Sequence, residues 1–483
     1  MKPDRHEKKR AKVGQPEQLV TLDITGLNQE GQGIGHLDGL TVFINGGLPG
    51  DRAEVRIETQ RSRYAVASLV NIITASSSRI QPACPVAGRC GGCTLQALDY
   101  PAQLVWKRQQ VVDALQRIGH LDSVSTLVRP VLGMTDPLQP WHYRSKVQLP
   151  VSGTWEHPEI GFYAANSHTL VDTTVCAIQP PVCDAIRETL REHLRAFRID
   201  PYTEASHTGL VRHLVIRIGF ATGQVMVGLV LNGDNLPGQE TWIASLHQTI
   251  DSFHDPELPA LKLACCYLSA NRDRTNLIQT SEPQIIAGQA WIEEDLLGIR
   301  YRLSPLSFFQ VNPRQTEILY ATVLEMAALT GQETVLDLYC GTGSITLQVA
   351  KQARQVIGIE VVVPAVEDAI ANARLNTIRN MRFIAGRAED LTQTLPDEIP
   401  EFFPADLVIV DPPRKGCELS LIDTLIRINP PRLIYVSCNP ATLARDLALL
   451  VPAGFRVETV QPVDLFPWTG HIESIVLMSR VEK

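Results

Sequence analysis

The 483-residue sequence holds no apolar run approaching the ~18 residues that a membrane-spanning helix needs. Its first stretch, Met1 to Lys12, is basic and polar and leads into no apolar core of the kind a secretory leader carries. Membrane insertion and secretion are therefore not expected, and the chain reads as a reduced, cytoplasmic protein. No repeat with a period of twenty to fifty residues is found, which excludes solenoids and propellers. Positive charge is also in short supply, with 44 Lys and Arg against 52 Asp and Glu and a formal net charge of -8. Residues 1–75 carry +1, residues 76–300 carry -4 and residues 301–483 carry -5. Bulk attraction to a polyanion is therefore expected to be modest. An anionic partner has to be recognised through local Arg and Lys faces and a folded shape.

What is present is an ordinary globular composition, 44% hydrophobic with 32 Gly and 32 Pro. At roughly 150 residues per domain the length suggests about two to four domains, with cores large enough to need no disulfide staples. The ten cysteines then read as thiols, ligands or nucleophiles rather than as a disulfide framework. Residues 1–15 hold six Lys and Arg with almost no apolar residue and read as a disordered basic tail. Over residues 16–75 short alternating runs such as LVTLDITGL and RAEVRIETQ, broken by Gly clusters, predict a small OB-like β-barrel. Arg52, Arg56, Arg61 and Arg63 lie close together there, as a phosphate-binding face or as a solvated strand edge. Residues 76–300 mix strands (HLVIRIGF, QVMVGLVL) with helical stretches (QLVWKRQQVVDALQRI) and predict an α+β domain. Residues 301–483 alternate apolar strands with helices, which implies an α/β domain with a mostly parallel sheet covered on both faces.

Two glycines, Gly341 and Gly343, directly follow the apolar strand TVLDLY, where the absence of a Cβ permits a tight turn and close ligand approach. Glu360 ends the next strand, nineteen residues after Gly341, where a carboxylate can accept both hydroxyls of a ribose. Thr346 stands where a dinucleotide fingerprint wants a third small residue, which favours an adenosine ligand without a pyrophosphate, such as S-adenosylmethionine, over NAD. Asp411 closes the strand DLVIV before Pro412-Pro413-Arg414. An arginine rather than an aromatic after Asp-Pro-Pro argues against chemistry on an exocyclic amine.

Cys438 closes the strand RLIYVS and precedes a helix, at the active edge of such a sheet, where a thiolate is favoured. A thiolate facing a methylsulfonium donor suits methylation of an unreactive pyrimidine carbon. Addition to C6 of uracil raises electron density at C5, which takes the methyl group, and a base then removes the C5 proton. Glu473, at the start of the last strand, is the candidate base. His471, two residues earlier, is its rival. Separately, Cys84, Cys90 and Cys93 form C-x5-C-x2-C around Gly91-Gly92, a thiolate cluster suited to zinc or iron–sulfur. A fourth ligand is needed, for which Cys176 is the leading candidate and Cys183 its competitor.

Five blocks, SPLSFFQVN (Ser304 to Asn312), LDLYCGTGS, DPPRKG, SCNPATLARD and DLFPWTGHIE, resemble in order the signature blocks of the RNA uracil-C5 methyltransferases. The resemblance spans about residues 16–483. It implies a Rossmann-like, class I S-adenosylmethionine-dependent methyltransferase domain over residues 301–483, with Gln310, Tyr339, Glu360 and Asp411 binding S-adenosylmethionine, Cys438 as nucleophile and Glu473 as proton acceptor. Ser344 departs from relatives that carry Asn there. The cysteine pattern is similar to a [4Fe-4S] site of several members, which implies Cys84, Cys90, Cys93 and Cys176 as ligands rather than a zinc set. The barrel over residues 16–75 is similar to a TRAM domain. Members with both features typically modify 23S rRNA, so 23S rRNA is the expected partner, with tRNA as the alternative. A monomer that binds neither membrane nor DNA is expected, the target uridine being flipped out of a folded loop with Phe308, Phe309 and Phe466 as stacking candidates. Two rivals stand beside this reading. One is an inactive RNA-binding protein. The other is a DNA cytosine-C5 methyltransferase, whose P-C and E-N-V motifs are missing.

Overall fold

The computed structural model describes residues 18–134, 140–390 and 404–481, so the basic stretch at residues 1–15 lies outside the described residues. Strands β1 (Leu19–Asp23), β2 (Gly26–Leu27), β3 (Gly33–Leu37), β4 (Leu40–Asn45), β5 (Arg52–Gln60) and β6 (Tyr64–Thr74) are hydrogen-bonded in the order β1-β5-β6-β4-β3-β2. The period-two alternation sends Val42, Ile44, Ala53, Val55 and Ile57 inward and leaves Arg52 and Arg56 exposed. One end is closed by the buried Asp51 carboxylate, which accepts the N–H groups of Leu48 (2.8 Å) and Ser76 (2.9 Å) and pairs with Arg79. The described residues up to Gln103, together with Trp468–Gly470, form one compact unit; the remainder forms a second.

The second unit contains two seven-stranded sheets. Helix α1 (Tyr100–Arg117) sends Val111, Val112 and Leu115 into the core of the second sheet, and the first is built from β7 (Lys146–Gly153), β8 (Pro158–Tyr163), β9 (Leu170–Asp172), β10 (Val211–Ile218), β11 (Gln224–Leu231), β12 (Lys262–Ala270) and β13 (Gln284–Gly288). Helices α2 (Val182–Ala196) and α3 (Gln239–Asp251) contribute Ile186, Leu190, Trp242 and Leu246 to a core with Leu149, Leu214 and Leu229 of that sheet. Its other face, through Val215, Met226 and Tyr267, joins a core continuous with the hairpin β14 (Ile292–Leu296) and β15 (Ile299–Leu303), helix α4 (Pro313–Ala327) and the second sheet. The two sheets therefore share apolar packing.

The second sheet comprises β16 (Thr334–Leu338), β17 (Gln355–Glu360), β18 (Met381–Ala385), β19 (Leu407–Val410), β20 (Arg432–Ser437), β21 (Phe455–Val463) and β22 (Glu473–Arg480). Its order is β18-β17-β16-β19-β20-β22-β21. The first five strands are parallel, and β22 pairs antiparallel with both β20 and β21. Helices α5 (Ser344–Ala350), α6 (Val363–Leu375), α7 (Leu419–Ile428) and α8 (Pro440–Leu450) connect them. Burial on both faces explains why β16 and β19 read as unbroken apolar runs apart from Asp337. Among the described residues, no helix is long and apolar enough to cross a membrane.

Close packing in the shared core is tightest at Gly228, where a Cβ would stand 2.1 Å from Cζ of the fully buried Tyr267. Gly228→Ala should destabilise the protein by about 1–3 kcal/mol in urea unfolding, and adding Tyr267→Leu should restore part of that loss. Unchanged stability of the single variant would contradict this account of the core.

Candidate active site

Strand register gathers the expected residues at one edge. Leu338 pairs with both Ile359 and Val410, so the next residues, Tyr339, Glu360 and Asp411, leave the sheet at one level. Ser437 pairs with Ser474 in the antiparallel ladder, and one further step sets Cys438 opposite Glu473. The antiparallel return of β22 thus brings Glu473 to the edge where Cys438 stands. Gln310 is half-buried on the segment between β15 and α4, and that segment is held from several sides. Arg217 of β10 donates to the Ser304 carbonyl (3.1 Å) and the Ser307 carbonyl. Ser145 donates its N–H (2.7 Å) and hydroxyl (3.1 Å) to the Val311 carbonyl. Asn312 caps α4, accepting the Gln315 N–H.

The glycine loop is fixed by the carboxylate expected to grip a ribose. Glu360 accepts N–H groups from Gly341 (3.0 Å) and Val362 (2.9 Å). Tyr339 enters the loop with φ +64°, a conformation that costs an aromatic residue energy and is tolerated where the surroundings impose it. Its hydroxyl donates to the buried Glu389 at 2.7 Å. A Cβ on Gly341 would meet nothing within 4 Å, so the loop borders open space, whereas one on Gly343 would lie 2.7 Å from Phe383 Cζ. Thr346 has a structural reason to replace the third glycine: its hydroxyl donates to the buried Asp337. Burial pushes the Asp337 carboxyl up to about 7, with Asp411 and Glu360 adding to the shift.

The edge is crowded with acid. Burial, then repulsion from Asp411, raises Glu473 to about 8 against the pull of Arg414. Burial also raises Asp411 to about 7. The half-buried Cys438 thiol is pushed up to about 11 by desolvation and by Glu473 and Asp411, and Arg414 is the cation that opposes this. Arg414 rides on a loop that α8 and its capping residue hold. Asn439 Nδ2 (3.3 Å) and the Thr442 hydroxyl (3.2 Å) donate to the Arg414 carbonyl. Arg445 donates to the carbonyls of Lys415 (3.0 Å) and Cys417 (3.1 Å), and buried Asp446 accepts the Cys417 N–H (2.8 Å) and the Tyr435 hydroxyl (2.6 Å). Gly416, at φ +77°, leaves no room for a Cβ beside Arg445. The Arg414 side chain lies 3.4 Å from His471 Nε2. Burial, Arg414 and Lys107 all lower the His471 pKa and favour its neutral ring.

With this geometry in hand, the relatives decide the family. A TRAM domain matches residues 15–70, and the family described as tRNA (uracil-5-)-methyltransferase matches residues 242–481. Proteins named as uncharacterized RNA methyltransferases are 42% identical over 458 residues in Clostridium tetani, covering 95% of each chain, and 41% identical over 460 residues in Halalkalibacterium halodurans, covering 95% of this chain and 96% of that one. The chain belongs to the RNA uracil-5 methyltransferase family. A solved tRNA (uracil-54, C5)-methyltransferase from Pyrococcus abyssi, in complex with S-adenosyl-L-homocysteine, aligns with TM-score 0.74 at 26% identity. The alignment covers 95% of this chain and all of that one.

Within this family member, other expectations fare unequally. Phe309 is a core residue, its ring 5.5 Å from Tyr301, so it drops out as a stacking candidate. Phe308 is 71% exposed and Phe466 is half-buried, edge-on to His471. The four barrel arginines are exposed, Arg61 standing over the Tyr64 ring. Cys84, Cys90 and Cys93 are half-buried on one turn of the N-terminal unit, with the Gly92 N–H directed at Cys90 Sγ (3.4 Å), whereas Cys176 belongs to the other unit. Cys183, the competitor, is fully buried in α2. Among the described residues, no group of three or more His, Cys, Asp or Glu side chains is arranged to hold a metal ion, so the expected cluster is not supported by the arrangement of its ligands. Reading the sequence missed Glu389, Asp446 and Lys107. Asp446 had a visible signal as the last residue of SCNPATLARD, while the other two lie in blocks with no recognised pattern.

Because Glu473 titrates near 8 when folded, against 4.5 for the free group, the folded state binds a proton that the unfolded chain loses. Its contribution to stability is present below about pH 4.5 and disappears as the pH rises towards 8. Glu473→Gln should therefore flatten this loss, giving a higher melting temperature than the parent at pH 8 and a similar one at pH 4.5. Parallel melting curves across that range in calorimetry would count against the burial-driven shift.

Proposed function

We propose that the protein transfers a methyl group from S-adenosylmethionine to C5 of an RNA uridine through a covalent Cys438 adduct. The observation that carries this reading is the position of Cys438 and Glu473, each one residue beyond the Ser437–Ser474 pair of β20 and β22 and close enough, with Asp411, for their charges to act on one another. The edge suits the donor: Glu360 fixes the loop bordering open space at Gly341, Tyr339 and Asp411 leave the sheet at the same level, and the family resemblance adds Gln310 as a further holding residue. S-adenosylmethionine supplies an electrophilic methyl group. Cys438 Sγ adds to C6 as a thiolate, for which Arg414 provides the local positive charge. Once C5 carries the methyl group, Glu473 in its ionised form takes the C5 proton, and the electrons of the broken C–H bond restore the C5–C6 double bond as Cys438 leaves. The neutral ring of His471 lies against Arg414, which makes it a neighbour of the cation rather than the preferred base.

The substrate we assign is 23S rRNA, with the tRNA T-loop as the second reading. The second reading gains from the Pyrococcus enzyme, which is named for tRNA and matches nearly this whole chain, so length and architecture do not separate the two RNAs. Trapping with 5-fluorouridine-substituted 23S fragments and tRNA in competition tests both levels. Preferential trapping of 23S RNA is expected, and Cys438→Ala should abolish the adduct while RNA binding persists. Glu473→Gln should accumulate an adduct on ordinary uridine RNA. Trapping on tRNA alone would replace the substrate, and unchanged turnover of Cys438→Ala would remove the nucleophile.

We also infer that Cys84, Cys90 and Cys93, with Cys176, are ligands of an iron–sulfur cluster. The donor chemistry supports this: thiolates are the ligands such clusters take, and a backbone N–H at Cys90 Sγ suits a charged sulfur. No step above consumes an electron. Anaerobically purified protein should contain iron and absorb broadly in the visible, and loss of both in Cys90→Ser is expected; stoichiometric zinc without that absorption would refute the assignment.

A further inference from the structure

The turn between β21 and His471 is held by an unusual convergence. Three consecutive carbonyls in it each accept a hydrogen bond from a side chain of a different segment. Asn312 Nδ2, at the start of α4, donates to the Leu465 carbonyl at 3.0 Å. Lys107 Nζ, from α1, donates to the Phe466 carbonyl at 3.0 Å. The Tyr143 hydroxyl donates to the Pro467 carbonyl at 3.0 Å. Lys107 Nζ also pairs with Asp464 Oδ1 at 2.6 Å, and both side chains are wholly shut off from solvent. The same Asp464 oxygen accepts the Phe466 N–H at 3.2 Å, so ammonium, carboxylate and backbone close a ring around the turn.

We propose that Lys107 and Asp464 are a positioning pair for the catalytic edge, an assignment that rests on the methyl-transfer reading above. A buried ion pair seldom repays its desolvation, and apolar replacements of similar volume are often as stable. Its contribution here is geometric. The turn it clamps carries Phe466, whose ring meets His471 edge-on at 6.0 Å, and His471 in turn contacts Arg414, the cation facing Cys438 and Glu473. Asn312 ties the same turn to the segment bearing Gln310, two residues before it. Displacing the turn therefore shifts the residues around Arg414 without removing any group that touches substrate. Lys107 also adds positive charge near His471, which keeps that ring neutral and able to accept from the guanidinium.

The test is Lys107→Met/Asp464→Leu, which removes both charges and keeps apolar volume. Expected are a melting temperature close to the parent, unchanged S-adenosylmethionine binding in calorimetry, a kcat lowered about tenfold or more with little change in KM, and slower covalent trapping on 5-fluorouridine RNA. Parental kcat in the folded double variant would overturn the assignment. Should that variant fail to fold, Asp464→Asn, which retains an oxygen for the Phe466 N–H, is expected to show the same loss in kcat, and parental turnover there would be equally fatal. Trapping of the parent on 5-fluorouridine RNA separates the two readings. If the parent forms no adduct, the methyl-transfer reading falls and this assignment with it. If the parent traps normally and the variants turn over normally, only the positioning role falls.

Discussion

Asp337, Glu360 and Asp411 stand at or next to the carboxyl ends of three neighbouring strands, Glu473 begins the antiparallel β22 at the same edge, and a weakly hydrated edge of this kind cannot hold four negative charges at once. Each acid is handled differently. Asp337 and Asp411 are pushed towards neutrality by burial. Glu360 spends its two oxygens on backbone N–H groups. Glu473 is pushed up furthest, to about 8, by burial and by Asp411, with Arg414 opposing the shift. The same field opposes ionisation of Cys438, so the proposed reaction asks for a thiolate and a carboxylate where both are disfavoured. A cation beside them is thus the condition for chemistry at this edge.

The surroundings of Arg414 follow from that requirement. A long cationic side chain on an exposed loop would wander, and wandering would leave the acids and the thiol without compensation. The loop is instead bound through its backbone: Asn439, Thr442, Arg445 and Asp446, all on or capping one helix, hold Arg414, Lys415 and Cys417. On the far side His471 meets the guanidinium. Two sequence blocks that look independent along the chain are therefore one hydrogen-bonded device. Their spacing reflects the distance between adjacent parallel strands and not a shared ligand.

Much of this was legible from residues alone. The glycine loop, Glu360, Asp411 and Cys438 announce themselves because strand ends, turn residues and reactive side chains coincide, and parallel register then aligns them without further information. Glu473 needed the antiparallel return of β22, which the sequence suggested only conditionally. Thr346 was read as a mere departure from a dinucleotide pattern, whereas its hydroxyl serves a buried aspartate. Lys107 was invisible, since it lies 357 positions from Asp464 and an isolated lysine in a helix normally points to water. Phe309 failed as a binding candidate because an aromatic beside a functional glutamine is, more often than not, core.

Selectivity among RNAs has to arise elsewhere. In the proposed reaction a thiol, a carboxylate and an arginine at one sheet edge meet only the uracil ring, and every uridine presents the same ring. The choice of site must come from surfaces that read folded RNA, and on this chain those surfaces are not strongly charged overall, since residues 16–75 contribute four arginines against seven acids. Binding driven by phosphate neutralisation would then be weak and steeply salt-dependent only over a few contacts. Recognition that relies on shape and on exposed aromatics, such as Phe308, loses little affinity to salt and more to unfolding of the RNA. An acidic chain that modifies RNA is for this reason expected to be a discriminating one: with little nonspecific attraction to support it, only a correctly folded target supplies enough contacts to bind.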